Sequence, residues 1–390
     1  MEFAFTDEQK MIRDTAELFL AEISCCEAVR QAMATEQGYD LSVWTRMCEE
    51  MCWQAIHVPE QYGGLGLGYV ELVAVLEQMG RYLLCSPFYS TVCLAANALL
   101  LAGSEGQKGE YLPNLCDGSL TATLAFSGIR GGADSGAVDV TAERDGDHFI
   151  LNGTYRYVID GHTADLLIAA AREPGSKGSE GVSLFLLSAD CADISRRWLP
   201  TMDQTRKQAE IICEDVRVPA SALMGGLPGE AGEQLECVLS LAAIALSAEQ
   251  VGGSQRVMDM AVEYTKERVQ FNRSIASFQV VKHKAADMML KTEGARSAAY
   301  YAACVADEAL SADNFVELNE AASIAKTYCS EAFFSNSAEA IQLHGGVGFT
   351  WEYDVHLYFK RAKAAEHLLG NGSYHREKLA AQLLDQSGGE

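Results

Sequence analysis

The chain has 390 residues, 48% apolar and 22% charged, an ordinary globular composition that excludes wholesale disorder. That length exceeds what one hydrophobic core usually serves, so two or three domains are expected. A formal net charge of -24 argues against nucleic acid or an anionic membrane as the main partner, and an anionic substrate would need basic residues gathered locally.

Residues 1–118 read as an N-terminal α-helical domain. MEFAFTDEQK carries no signal-peptide pattern and no uninterrupted apolar run of about 18 residues follows, so a cytoplasmic protein without a membrane span is expected. Thr6 stands three residues before Gln9, a capping-box spacing, and Met11, Ile12, Ala16, Phe19 and Leu20 form a helical stripe behind it. YVELVAVLEQMGRYLL (69–84) reads as a second helix, preceded by the glycine-rich loop PEQYGGLGLGYVE. Twelve cysteines, the adjacent Cys25 and Cys26 among them, show no CxxC. Cys48 and Cys52 stand at i,i+4 with no histidine beside them. Buried thiols without a metal are expected.

Residues 119–228 change to a period of two. TATLAF, VDVTAE, HFILNGTYRYVI, DLLIAAA, GVSLFLL and QAEIICEDVRV read as strands, with turns at Asp145-Gly146 and Asn152-Gly153. No helix-length segment intervenes and no GxGxxG follows a strand. The zone is therefore expected to be an antiparallel barrel or sandwich, and a Rossmann reading is excluded.

From 229 to 390 the pattern is helical again. Residues 230–268 contain no proline, and segments near 278–310, 314–343, 353–369 and 374–386 have helix length, which points to a four-helix bundle. The fold class is thus α+β multidomain: helices, an antiparallel β-domain, then a helical bundle.

Two local motifs carry chemistry. In ERVQFNRSIASFQ (267–279) a guanidinium, an amide and two rings lie around a turn between helices, a set suited to a diphosphate and its nucleoside. A solvated helix end is the plain alternative. In QLHGGVGF (342–349) paired glycines let backbone N–H groups approach an anion, or simply stop a helix.

The order PEQYGGLG, β-domain, ERVQF…FQ and Q-x-x-GGxGF resembles the acyl-CoA dehydrogenase family along essentially the whole chain. The resemblance implies FAD shared between two subunits, with its ADP half against the partner's bundle. On that basis Arg268, Gln270, Phe271, Ile275, Phe278 and Gln279 are the expected cross-subunit contacts, joined by Gln342, Gly345 and Gly346. It also implies α-proton abstraction from an acyl-CoA with β-hydride transfer to flavin, and an electron-transferring flavoprotein as acceptor.

That chemistry needs a positioned base and hydrogen bonds to the thioester oxygen. The family's glutamate in a Y-E-G-T-like turn is replaced here by Leu369 in L-L-G-N, with Asn371 at the threonine. The second branch's base position, on the long bundle helix, falls on Ala242. In the β-domain the T-E-P-x-A-G-S-D stretch becomes AFSGIRGGADSG (125–136), leaving Ser127 as the nearest hydroxyl, and W-I-T becomes Y-V-I with Ile159 at the threonine. Substitute bases are Glu366, one turn before Leu369, and Glu249, two turns after Ala242; Asp287 reads as structural, and His162, His344 and His367 fall nearest the site. Whether the backbone N–H of Leu369 still faces a thioester oxygen is left open by the sequence.

Three readings follow. The chain is the base-lacking partner in a heterotetramer with a catalytic sister chain, of the branch that acts on steroid and other bulky side chains; or it is a homo-oligomer with a relocated base; or it is a non-catalytic flavin or acyl-CoA binding scaffold.

Overall fold

The computed structural model describes residues 5–188, 191 and 193–385. Its helices and strands follow the expected order. The N-terminal zone holds α1 (Asp7–Ile23), α2 (Cys26–Ala34), α3 (Leu41–Arg46), α4 (Tyr69–Arg81), α5 (Asn97–Ala102) and α6 (Glu105–Cys116). The middle zone holds β1 (Ala122–Ala125), β2 (Thr141–Asp145), β3 (His148–Ile159), β4 (Leu166–Arg172), β5 (Val182–Ser188), β6 (Ile194–Leu199) and β7 (Gln208–Pro219). The last zone holds α7 (Gly232–Glu267), the short β8 (Val269–Gln270) and β9 (Arg273–Ser274), α8 (Gln279–Ala312), α9 (Leu318–His344), α10 (Val355–His367) and α11 (Gly372–Asp385). Two compact units arise: one from Met1–Arg30, Tyr69–Leu84 and Ala243–Glu390, the other from Gln31–Gly68 and Cys85–Ala242.

In the helical unit, α1 begins with the capping box its sequence announces: Gln9 N–H donates to Thr6 Oγ1 and Thr6 N–H to the Gln9 side chain. α4 crosses α7 with backbones touching. A Cβ on Gly80 would overlap the Glu249 carbonyl, and one on Gly252 the Glu77 carbonyl. By contrast a Cβ on Gly294, midway along α8, would meet nothing within 4 Å. By length and composition α7 could cross a bilayer, its best 18-residue window having mean hydropathy 1.4, although Ser, Glu and Gln interrupt any pure apolar run. That window is 89% buried in the protein, so its apolarity serves the core.

In the other unit a seven-stranded sheet runs in the order β1-β4-β2-β3-β7-β6, with β5 on β4. It corrects the sequence reading in three places. The sheet is mixed: β1 pairs parallel with β4, because the β2–β3 hairpin serves as the crossover that a helix usually supplies. The strand β6 went unread because ISRRWL, with two arginines, lacks apolar alternation and lies at the sheet edge. Asn152-Gly153 is a bulge inside β3, where the register with β7 shifts and the Asn152 side chain bonds Asp215. Asp145-Gly146 does turn the chain between β2 and β3. Segment 31–40 is pinned to the sheet by buried Lys207, whose Nζ donates to Met33 O at 2.8 Å, and by His162, whose Nε2 donates to Glu36 O at 2.7 Å.

All twelve cysteines are free thiols, and burial pushes Cys48, Cys116, Cys213 and Cys329 up to about 12, where they are unreactive. Among the described residues no His/Cys/Asp/Glu group could hold a metal.

Packing makes opposite demands at Gly252, in the crossing, and at Gly294, outside it. Gly252→Ala is expected to lower the unfolding free energy by about 2 kcal/mol or more through backbone overlap. Gly294→Ala is expected to raise it by about 0.5–1 kcal/mol through helix propensity. Urea midpoints of the two variants against the parent chain check both signs.

Candidate functional site

At one end of the helical unit α7 gives way after Glu267 to a two-residue hairpin loop. Phe271 and Asn272 both take left-handed conformations (φ 54 and 60) between β8 and β9. Such a turn prefers Asn-Gly, and each non-glycine residue there costs roughly 1 kcal/mol. The strain holds the Phe271 ring 86% exposed, edge-on to Phe278 at 6.2 Å, while the Arg273 guanidinium covers Phe278 at 4.0 Å. Ser274 fixes the loop by donating to Thr265 O and accepting from Ala276 N–H. Ile275 N–H returns to Arg268 O at 2.9 Å, and Phe278 enters α8 as its N-cap residue.

The second motif lies beside the first. α9 ends at His344, and Gly345 (φ 68) turns the chain; a Cβ on Gly345 or Gly346 would meet nothing within 4 Å. Tyr264, in the last turn of α7, stacks on His344 at 4.3 Å, and Tyr353 closes edge-on against both rings. His344 donates Nδ1–H to Ala340 O, and burial pushes its imidazole down. The two motifs are therefore brought together by an aromatic stack that neither motif contains. Arg268, Gln270, Phe271, Gln279, Gln342, Gly345 and Gly346 are exposed, and Ile275 and Phe278 half-buried. Among the described residues the side chains of Arg268, Gln279 and Gln342 make no hydrogen bond, so the guanidinium and two amides face outward and unpaired. This surface fits a nucleoside diphosphate presented from outside the chain.

The turn between α10 and α11 is built differently. Leu369 (φ 57) and Gly370 (φ 91) are both left-handed, and Leu369 is only 6% exposed. Lys326 of α9, wholly buried, donates from Nζ to Ala365 O (3.0 Å), Glu366 O (3.2 Å), Gly370 O (2.9 Å) and Ser330 Oγ (2.9 Å). His375 donates Nε2–H to Leu369 O at 2.9 Å, which leaves Nδ1 to accept from the Ser323 hydroxyl. The Asn371 side chain caps α11 by accepting from Tyr374 N–H. Among the described residues no acceptor pairs with the Leu369 N–H.

Neither substitute carboxylate is placed as a free base. Glu366 pairs with Lys363 at 2.8 Å, and Glu249, buried, pairs with Arg361 at 3.8 Å. Asp287, which read as structural, is exposed, as is His367. In the sheet unit, Ile159 is 3% exposed and its carbonyl accepts from Thr123 Oγ1 at 2.6 Å. Ser127 is half-buried, its carbonyl accepting from Arg156 N–H, and Tyr157 (φ 59) bulges out at a register break. Ala242 is fully buried and its carbonyl accepts from Tyr89 OH at 2.7 Å. Position 159 thus offers no side-chain donor, and positions 242 and 369 offer no carboxylate.

Lys326, His375 and Tyr89 escaped the sequence reading. Lys326 was detectable in principle, as a lone lysine on the stripe Ala322, Ala325, Cys329, Phe333 and Ala340 that buries α9.

Comparison with known proteins gives the family and the fold. Residues 6–119 match the family profile described as acyl-CoA dehydrogenase, N-terminal domain, and residues 234–384 match the C-terminal domain of the same family. The acyl-CoA dehydrogenase IpdE2 of Mycolicibacterium smegmatis is 31% identical over 97% of this chain and 100% of its own. Among solved structures, the ChsE4–ChsE5 complex of Mycobacterium tuberculosis superposes with TM-score 0.87 at 26% identity, covering 98% of this chain and 99% of that one. A steroid ACAD, Tcur3481–Tcur3483, gives 0.86 at 27%, covering 98% and 99%.

Burial pulls the Lys326 ammonium from its ordinary 10.5 down to about 7, against smaller upward contributions from Cys329 and Glu366. The unfolded chain keeps this proton up to about 10.5 and the folded chain releases it near 7. The unfolded state therefore binds more protons in that window, and stability rises with pH there by up to about 1.4 kcal/mol per unit. Urea unfolding of the parent and Lys326→Met from pH 6 to 10 should show the difference between them moving in the parent's favour above pH 7. A flat difference would mean that Lys326 keeps its ordinary value.

Proposed function

The chain belongs to the acyl-CoA dehydrogenase family, whose chemistry is the flavin-dependent α,β-dehydrogenation of an acyl-CoA thioester, and within it we propose that this chain is the base-lacking subunit of a heteromer. The observation that carries the proposal is the contrast between its two ends. The bundle end presents unpaired, exposed groups fit to hold the ADP half of FAD bound by a catalytic sister chain. Arg268 would meet the diphosphate, Phe271 and Phe278 the adenine, and the Gly345-Gly346 turn would allow close approach, with Gln270, Ile275, Gln279 and Gln342 completing the surface.

The chain's own ring side does not fit the reaction. When bound, the flavin supplies the acceptor for the β-hydride. The α-proton still needs a base, and Leu369 and Ala242 cannot take it. Ile159 has no side-chain donor, and Ser127 is the one hydroxyl near its stretch. What this chain keeps is the Leu369 N–H, a donor for a thioester oxygen without a base beside it. No dehydrogenation step is assigned to the chain alone.

The two-chain names of the ChsE4–ChsE5 and Tcur3481–Tcur3483 structures support the heteromer, and the steroid title supports a bulky acyl group. Electrons would leave through an electron-transferring flavoprotein, in the cytoplasm.

Co-expression with a dehydrogenase-like sister chain that carries the missing glutamate should give a yellow complex that acyl-CoA bleaches. This chain alone should be colourless. Arg268→Ala should leave the complex assembled while weakening FAD retention about tenfold or more, read from the absorbance ratio after gel filtration. A lone chain that is yellow and bleached by acyl-CoA would establish the homo-oligomer instead. One colourless and inert in every pairing would leave only the scaffold.

A further inference from the structure

The turn after α10 combines three features that seldom occur together. A leucine sits in the left-handed region, buried, with its backbone N–H unpaired, although buried N–H groups are almost always bonded. Among the described residues five of the six carbonyls from 365 to 370 have a donor: Ala365, Glu366 and Gly370 from Lys326, Leu369 from His375, and His367 from Gly370 N–H; the sixth, Leu368 C=O, belongs to the same peptide group as the Leu369 N–H and cannot accept from it. The donors arrive from the two flanking helices, α9 and α11, and are themselves held by Ser330 and Ser323. A turn free to relax would rotate the Leu369 N–H toward one of those carbonyls; here each already has a donor, and sharing it would weaken a bond that is in place.

We infer that Lys326 and His375 are positioning residues, which occupy the carbonyls of the 365–370 turn so that the Leu369 N–H stays unpaired and aimed for an acyl thioester. The inference rests on the reading of Leu369 N–H as the thioester donor. Lys326 is buried without a carboxylate in contact, so its charge is the adjustable element. As the ammonium it has three N–H groups for four acceptors. As the amine it has two, and turns a lone pair toward an oxygen.

The groups that face it are few. Cys329 lies on its own helix, the Glu366 carboxylate on α10 is engaged by Lys363, and α11 offers His375 and, beyond it, Lys378. α7 contributes the uncharged Gln250 through Ser330, with the Glu249–Arg361 pair beside it. His375 is pushed down to about 4 by burial and by Lys326, so it stays neutral above that and donates at every working pH. With Lys326 near 7, the clamp loosens as pH rises through neutrality.

The test titrates hexanoyl-CoA, its thioether analogue without the carbonyl, and CoA itself into the full-length chain in its complex from pH 6 to 8.5. The parent should prefer the thioester over the thioether about tenfold at pH 6, and the preference should shrink above pH 7. Lys326→Arg should flatten that pH dependence. Lys326→Met and, independently, His375→Phe should abolish the preference while CoA binds as before. Should Lys326→Met fail to fold, His375→Phe carries the test. Variants that keep the preference, or that lose CoA and thioester alike, overturn the positioning role. Failure of the underlying reading looks different: the parent itself would not distinguish thioester from thioether at any pH.

Discussion

Two helices of the bundle, α4 and α7, cross where neither has room for a methyl group, and much of the helical unit takes its register from that contact. Gly80 lies against the backbone at Glu249, and Gly252 against the backbone at Glu77. A mid-helix glycine costs roughly 1 kcal/mol, so the approach must be repaid by what it buries. α4 buries Val73, Leu76 and Met79, and the crossing brings charged neighbours into range. Glu77, 5% exposed, accepts from Arg296 Nε at 3.1 Å and from Tyr300 OH, while Arg81 donates to Asp259 at 2.8 Å. A buried carboxylate is tolerable only with such partners. The same crossing fixes how far the end of α7 reaches: Arg268 lies roughly 24 Å along the helix from Gly252.

Backbone strain points to the same places as the chemistry. Among the described residues nine non-glycine positions have positive φ, and five of them lie in or beside the candidate segments: Tyr157 and Asp160 in the sheet unit, and Phe271, Asn272 and Leu369 in the helical unit. Strain of this kind persists where surroundings over-determine it, and it clusters at working sites. At Phe271 and Asn272 the strained loop presents a ring and polar groups to solvent. At Tyr157 and Leu369 the strained shape remains although a threonine-like donor and a carboxylate are missing. Turns that hold their shape without reactive groups are suited to binding and to completing a neighbour's site, which is the role proposed above.

Much of this could be read in advance, for definite reasons. The long helices carry a period near 3.6 with almost no proline, so their existence and order were legible from residue type alone. The mixed sheet was harder. That β1 lies parallel to β4 depends on pairing across some forty residues, which no local pattern records, and β6 hides behind Arg196 and Arg197. Asn152-Gly153 has turn chemistry, but a strand that pairs on both sides absorbs it as a bulge. The hairpin at 269–274 and the glycines at 345–346 announced themselves through local composition. Their convergence did not, because it depends on Tyr264 stacking against His344. Lys326 is the clearest case of information that only packing supplies: a lysine in an alanine-rich helix reads as solvent-facing until the stripe around it proves buried.

Buried polar groups also explain why two distant features can coexist on one helix. Asn336 of α9 donates to Ser254 of α7, to Thr292 and to Met288 O of α8, all within 3.0 Å. Nearer the start of α9, Ser330 Oγ accepts from the Gln250 side chain of α7 and from Lys326 Nζ. Such groups in a core are costly unless bonded, so a one-residue slip of α9 would break several bonds at once. The apolar residues alone, mostly alanine, would tolerate that slip far better, since one alanine fits much like another. The polar spine therefore sets the register of α7, α8 and α9. Because Gln342 and Lys326 share α9, roughly 24 Å apart, that register holds the outward surface proposed for a nucleotide and the inward turn as parts of a single rigid element. A partner that docks on one end meets a turn already in place at the other.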